Sequence, residues 1–318
     1  MDIVADSHRD VIALILAKTL GEAPREVVRM TSGLANEVYA VTLPSRDVIV
    51  RLNTDRHAMR GAEAHIALFQ SLGIPVPELL ASDYSQALVP FAYQVQSRLP
   101  GQDIGRVIAA LSERQLTAIA GEVARITRTL AKLSTNGRFG WTGGSGEAAF
   151  ATWLELLRNM QRQIGDRARA NGVVPPRYLD AIEALLADHN GYFSQVASAF
   201  YYDDMSSKNL MVHEGRFVGL VDLDTVAHGD PLEGVGRIEA SWYGTAHGRF
   251  YADAVMAALS LRPQQRRMVR FYAVLNRIFW LSEQGVKFNA NTSSIIDWDA
   301  ARRDMAIIDA MLEGLGAP

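Results

Sequence analysis

The stretch YYDDMSSKN (201–209), followed a short way on by LVDLDTVAHGDP (220–231), gathers two adjacent carboxylates, an asparagine and a further carboxylate pair into one short region. It reads either as an acidic surface hairpin or as a site that holds metal ions. FYYDD (200–204) ends a short strand, LMV (210–212) begins another, and FVGLVDLD (217–224) has the composition of a buried strand, with EGR (214–216) as the turn between the last two. Asp204 and Asn209 then bracket one loop, and Asp222 stands at the end of the strand that returns beside it. Oxygen ligands at that spacing converge. Mg²⁺ takes carboxylate, amide and phosphate oxygens, and phosphoryl transfer asks a protein for positioning and charge neutralisation more than for covalent chemistry.

On the N-terminal side the patterning changes. Ser7 before VIALILAKTLG reads as an N-cap opening an amphipathic helix that Gly21 stops. EVVRM (26–30), EVYAVTL (37–43) and DVIVRL (47–52) are short β-branched runs separated by TSGLAN and PSR, as in an antiparallel meander. Helical spacing returns over 57–72, and Pro75 and Pro77 cannot continue it. LVP (88–90) and FAYQVQSRL (91–99) read as a strand pair ending at Pro100-Gly101.

From Gly101 onward helices dominate. Ser112-x-x-Gln115 is a capping-box pattern opening 113–133, and 148–170, 176–190, 249–260, 263–284 and 298–314 carry helical periodicity. The fold class is therefore α+β in two lobes. Residues 1–100 form an antiparallel sheet with a helix, and 101–318 form a larger, mainly helical lobe around the 198–224 hairpin.

Composition excludes several functions. The chain has 318 residues, 48% hydrophobic and 21% charged, with a net charge of −3, and no run of Lys and Arg interleaved with aromatics, so nucleic acid is not an expected partner. With no cysteine, disulfides and thiolate metal sites are ruled out. MDIVADSHRD is no signal peptide and no run of 18 apolar residues occurs, so a membrane partner is not expected and the expected location is the cytoplasm. G-x-G-x-x-G, G-x-S-x-G and the P-loop pattern are absent, and GGSG (143–146) reads as a flexible loop. His213 and His228 lack metal-ligand spacing. Trp242, Tyr243, Phe279, Trp280 and Trp298 read as helical core.

The ordered set D-x₄-N, apolar strand, Asp, then GDP (229–231) resembles the catalytic segment of the aminoglycoside phosphotransferase and choline-kinase-like family, H-G-D-x₄-N followed by I-D-[FW]-x-x-A-x-x-G-D-P. Other motifs of that family recur in order. TSGLANEVYAV (31–41) is similar to its phosphate-covering loop, and VIVRLN (48–53) to the strand bearing its phosphate-contacting cation. AEAHIALFQSLGIPVPELLAS (62–82) resembles the segment whose Glu pairs with that cation, and QVQSRLPGQDI (94–104) resembles the adenine-binding strand and hinge. Tyr202 stands where the family has His, Asp203 where it has Gly or a small residue, and Arg51 where many members have Lys, while Leu133 is followed by Ser134 instead of His.

The resemblance implies a protein-kinase-like fold and a kinase that moves the γ-phosphate of ATP or GTP to a small-molecule hydroxyl with Mg²⁺. It implies Asp204 as catalytic base, Asn209 and Asp222 as Mg²⁺ ligands, and Asp230 as a structural residue of the loop. Ser32, Gly33 and Asn36 would cover the phosphates, Arg51 paired with Glu63 would fix them, and the backbone at Ser97 to Leu99 would meet the adenine. Asp203, Asp224 and Glu233 either line an acidic acceptor pocket or are solvated, and with Glu239 and Asp253 they allow a cationic acceptor. The acceptor classes are an aminoglycoside-like or other antibiotic or a sugar, with choline or amino acids as alternatives. A kinase-fold protein that only binds or senses is the reading from another class.

Overall fold

Val48, Val50 and Leu52 alternate along one strand and are all fully buried, whereas Arg51 between them points to the opposite face. In the computed structural model that strand is the middle of an antiparallel sheet. Residues 8–30, 36–143, 148–287 and 293–316 are described by the structure. Ser7, Ser32, Gly33 and all but Gly143 of GGSG lie outside them.

The chain divides into two compact units. The first comprises 1–100 together with 143–145 and 219–225, and the second holds the remainder. The segment 219–225 had been expected in the second lobe.

The first unit contains α1 (Arg9–Thr19), β1 (Glu26–Met30), β2 (Glu37–Thr42), β3 (Asp47–Asn53), α2 (Arg60–Ser71), β4 (Leu79–Asp83) and β5 (Ala92–Ser97). The sheet order is β1-β2-β3-β5-β4. Ile12, Ile15 and Leu16 of α1 meet Val48, Val50, Leu52 and Val95 in one buried cluster, each such side chain contributing roughly 1.5–3 kcal/mol. β5 pairs with β3 on one side and with Leu79–Asp83 on the other, not with residues 88–90, which form no strand. Arg51 lies directly opposite Gln94 in the β3–β5 register, so the polar face of the sheet collects Arg51, Gln94 and Gln96.

The second unit runs through β6 (Gln102–Asp103), α3 (Ile104–Val107), a 3₁₀ turn (Ile108–Ala110), α4 (Glu113–Leu130), β7 (Gly140–Gly143), α5 (Trp153–Asn171), α6 (Pro176–Asp188) and α7 (Asn190–Phe193). It continues with β8 (Ala199–Tyr201), β9 (Leu210–His213), β10 (Arg216–Leu220), β11 (Thr225–Gly229), α8 (Leu232–Trp242), α9 (Ala246–Ala258), α10 (Pro263–Ser282) and α11 (Trp298–Leu315). The Ser112/Gln115 capping box is formed. The helix expected from 148 begins at Trp153, because Thr152 and Glu155 make a second capping box. Trp298, expected in the core, is 46% exposed. Among the described residues no helix is long and apolar enough to cross a membrane.

Two departures have a physical cause. The strand expected over 217–224 stops at Leu220, where Asp222 turns the backbone to a φ of 61°, and the next strand, β11, starts at Thr225 in another sheet. Helix α8 is not among the spans expected from periodicity, although Trp242 at its end was read as helical core; LEGVGRIEASW contains two glycines. Both mark close packing instead of a break. A Cβ on Gly236 would stand 2.5 Å from Tyr272 Cβ and 3.0 Å from the Val269 carbonyl of α10. One on Gly234 would meet the Tyr202 carbonyl at 3.3 Å. Gly236→Ala should therefore lower stability by about 1–3 kcal/mol through overpacking. Gly121→Ala, on α4 where no atom lies within 4 Å, should raise it by about 0.5–1 kcal/mol. Thermal unfolding midpoints of the two variants check this, and midpoints that move together would contradict it.

Candidate active site

In the first unit the chemistry is organised around one buried cation. The Arg51 guanidinium donates to both carboxylate oxygens of Asp224, at 2.7 and 2.6 Å, and to Asp222 Oδ1 at 2.9 Å. It also donates to Gln94 Oε1 at 3.2 Å. Asn36 Nδ2 donates to Asp224 Oδ2 at 2.8 Å, and Asn53 Nδ2 donates to Asn36 Oδ1 at 2.8 Å. The bidentate fork fixes the plane of the guanidinium, which Lys could not do.

The turn that carries Asp222 and Asp224 is itself anchored. Leu220 N–H donates to the Pro75 carbonyl at 3.0 Å, and His65 Nδ1 lies 2.7 Å from the Leu223 carbonyl. Asp222 keeps 47% of its side chain exposed, Asp224 only 14%.

Glu63 does not join this group. Arg51 is ion-paired with Asp222 and Asp224, while the Glu63 carboxylate on α2 interacts with the Tyr84 phenol, which is held above its ordinary value mainly by burial. The expected Arg51–Glu63 pair is not formed among the described residues. Asp224, read from the sequence as an acceptor residue, spends both oxygens on Arg51 and Asn36. Ser97 is tied to Glu78 through two hydrogen bonds, backbone N–H to carbonyl at 2.9 Å and Glu78 N–H to Ser97 Oγ at 2.8 Å. Leu99 packs so closely on Gly219 that a Cβ there would approach it to 2.7 Å.

In the second unit Asp204 is mostly buried at the head of the loop between β8 and β9. Ser206 Oγ donates to its Oδ1 at 2.9 Å and Asn209 Nδ2 to its Oδ2 at 2.8 Å. Burial raises the Asp204 pKa, and the neighbouring Asp203 adds to the rise, whereas Arg237, Ser206 and Lys208 oppose it. With Nδ2 engaged, the amide oxygen of Asn209 has no donor among the described residues and is the atom suited to a hard cation.

Asp203 and Glu233 belong to a different system. Arg237 Nε donates to Glu233 Oε1 at 3.0 Å, and Arg237 Nη2 lies 3.2 Å from Asp203 Oδ2. Trp141 Nε1 donates to the same Asp203 oxygen at 2.7 Å, and Glu233 also accepts from Tyr201 OH at 3.1 Å and Asn276 Nδ2 at 3.0 Å. Glu233 is fully buried and Asp203 is 4% exposed. Their expected place on an acceptor wall is therefore corrected: both are consumed in holding Arg237. Burial opposes the charge on Arg237, and Asp203, Glu233 and Asp204 together raise its pKa above the ordinary value.

Asp230, expected to order the loop, accepts from Tyr192 OH at 2.7 Å, Tyr272 OH at 2.8 Å and Leu232 N–H at 3.0 Å. Trp153 Nε1 in turn donates to Tyr272 OH at 2.8 Å. Tyr202, in place of the family histidine, is buried at 1% exposure. Arg237, Trp141, Gln94 and Asn53 were not picked out from the sequence. Glu233 and Arg237 do carry the i, i+4 signal of a helical ion pair, but only once α8 is recognised as a helix.

Among the described residues no group of three or more His, Asp or Glu is placed to hold a metal ion by itself.

Residues 26–272 match the phosphotransferase enzyme family. Viomycin phosphotransferase of Streptomyces vinaceus is 24% identical over 263 residues, covering 78% of this chain and 84% of that protein. The ternary complex of a thermostable mutant of aminoglycoside phosphotransferase APH(4)-Ia with AMP-PNP and hygromycin B superposes with a TM-score of 0.70 at 18% identity, over 96% of this chain and 99% of that one. The gentamicin complex of APH(2″)-IIa superposes with a TM-score of 0.63 at 13% identity, over 99% and 97%. The motif order, the kinase-like sheet and hairpin and the span of the match agree, and the chain belongs to the phosphotransferase enzyme family as a kinase-type enzyme.

Proposed function

We propose that the protein transfers the γ-phosphoryl group of ATP or GTP to a hydroxyl of a small molecule, with Asp204 as catalytic base. The observation that carries this is the state of Asp204: a carboxylate oriented by Ser206 and Asn209 and raised in pKa by burial. Such a group is a stronger base than a solvated aspartate and is already aimed. Asp204 accepts the proton of the acceptor hydroxyl as the oxygen–phosphorus bond forms, and the bond to the β-phosphate oxygen breaks to release the nucleoside diphosphate.

Asn209 and Asp222 are each proposed as Mg²⁺ ligands; the ion, when bound with nucleotide, would supply charge neutralisation on the phosphoryl group. Arg51 binds the nucleotide phosphates, held in plane by Asp224 and Gln94, so that Asp224 takes the positioning role expected of Glu63. Asn36 covers the phosphates, and the backbone from Ser97 to Leu99 meets the base. An antibiotic or sugar bearing hydroxyls is the acceptor; the viomycin, hygromycin B and gentamicin in the names of the related proteins support that class.

Mass spectrometry of an acceptor panel for an added phosphate tests the reading. Asp204→Asn should lower turnover about 10²–10⁴-fold, the range for a lost general base, with little effect on nucleotide affinity. Unchanged turnover would exclude Asp204 as the base. Because the base must be ionised, kcat/KM should rise with pH through an apparent pKa above the ordinary aspartate value of 3.8; an acid limb at or below that value would contradict the burial argument. Arg51→Gln should raise the nucleotide KM at least about tenfold, consistent with a lost charge-assisted contact. An Arg51→Lys variant that restores wild-type KM would show that the bidentate plane is not needed.

A further inference from the structure

Asn53 ends β3 two residues after Arg51, so the pleat puts both side chains on the polar face of the sheet. The β2–β3 register pairs Val38 with Arg51 and Glu37 with Leu52, and its next rung sets Asn36 across from Asn53. Two primary amides therefore face each other beside the guanidinium, and Asn36 is buried.

The amides run as a directed chain. Asp55 N–H donates to Asn53 Oδ1 at 2.8 Å, Asn53 Nδ2 to Asn36 Oδ1 at 2.8 Å, and Asn36 Nδ2 to Asp224 Oδ2 at 2.8 Å. Arg51 Nη2 donates to that same Asp224 oxygen at 2.6 Å, and Arg51 Nη1 to the other at 2.7 Å. Both ends of the chain have fixed polarity, because a backbone N–H only donates and an ionised carboxylate only accepts. The Asp55 N–H therefore selects the orientation of the Asn53 amide, Asn53 selects that of Asn36, and Asn36 brings its donor to Asp224. Turning either amide over sets oxygen against oxygen or nitrogen against nitrogen and leaves polar atoms unpaired.

We propose that Asn53 is a positioning residue for nucleotide binding: through Asn36 it fixes the Asp224 carboxylate that orients Arg51 toward the phosphates of a nucleoside triphosphate. The inference rests on the reading of Arg51 as the phosphate-binding cation. Asn53 acts only through its neighbours, by setting the direction of one amide.

Asparagine and aspartate share a shape but not a polarity, which separates this role from simple packing. Asn53→Asp keeps the acceptor for the Asp55 N–H but turns a second acceptor toward Asn36 Oδ1. Asn36 then meets the new carboxylate oxygen to oxygen, or turns over and presents its oxygen to Asp224. Asn53→Ala merely removes one neutral donor and the turn bond.

Calorimetry of the full chain with AMP-PNP and with GMP-PNP, each with Mg²⁺, compares wild type, Asn53→Ala, Asn53→Asp and Arg51→Gln, with melting midpoints recorded to show that each variant folds. For the nucleotide that wild type binds, Asn53→Ala should weaken affinity about threefold and Asn53→Asp about tenfold or more. That order should persist as NaCl is raised from about 0.05 to about 0.5 M, because an added charge acting only at a distance is screened. A residue that only fills space or closes the turn gives the opposite order. With Arg51→Gln weakened as expected, two Asn53 variants of wild-type affinity, Ala weaker than Asp, or an Asp deficit lost at high salt would each overturn the proposal. Should Asn53→Asp not fold, Asn53→Ala decides, and unchanged affinity there overturns it. Wild type binding neither nucleotide, or Arg51→Gln with unchanged affinity, would overturn the reading of Arg51 and the role of Asn53 with it.

Discussion

The helical unit depends on one largely buried cation. Arg237 on α8 holds Asp203 from the β8 end and Glu233 from its own helix, while Trp141, Tyr201 and Asn276 fill the remaining acceptor positions of those carboxylates. Removing one partner of such a buried group typically costs about 3–5 kcal/mol, because the charge left behind is uncompensated. Asp203 is covalently adjacent to Asp204, so the same pairing that keeps Arg237 charged fixes where the proposed base begins. Gly234 lets α8 approach the backbone of Tyr202 and Asp203 closely enough for this.

A parallel arrangement operates in the sheet unit. The pleat sends Val48, Val50 and Leu52 into the α1 core and leaves Arg51 on the other face. There Asp224 takes the guanidinium in two bonds and Asp222 in one. Asp222 occupies that position with a left-handed φ of 61°, in the turn between β10 and β11, which lie in different sheets. A conformation of that kind costs on the order of 1 kcal/mol and is less costly for Asp than for most residues.

Much of this was legible in the sequence because it is local. The alternation of 47–53, the capping box at Ser112 and the order Asp204, Asn209, Asp222 depend on neighbours a few residues apart. What escaped depends on distant partners. Helix α8 was hidden because glycine reads as a breaker until the α10 surface against Gly236 is known. The β5 partner was placed at 88–90 because proline-flanked apolar runs resemble strands, whereas Leu79–Asp83 has the register with β5. Arg51 was paired with Glu63 from the resemblance, and nothing within either segment reveals that Asp224, 173 residues further along the chain, takes that carboxylate's place. The roles of Asp203 and Glu233 failed for the same reason: an acidic residue looks solvated until its cation is found.

Carboxylates in both units hold cations, and Asp204 is the one proposed to act on a proton. Asp204 has no direct ion pair among the described residues, only the two hydrogen bonds from Ser206 and Asn209, and burial dominates its titration. The most direct test is a ¹³C NMR titration of the Asp204 carboxyl carbon, assigned by difference against Asp204→Asn. The account predicts a midpoint above the ordinary aspartate value of 3.8. A midpoint at or below that value would show an ordinary ion-paired or solvated carboxylate and contradict it.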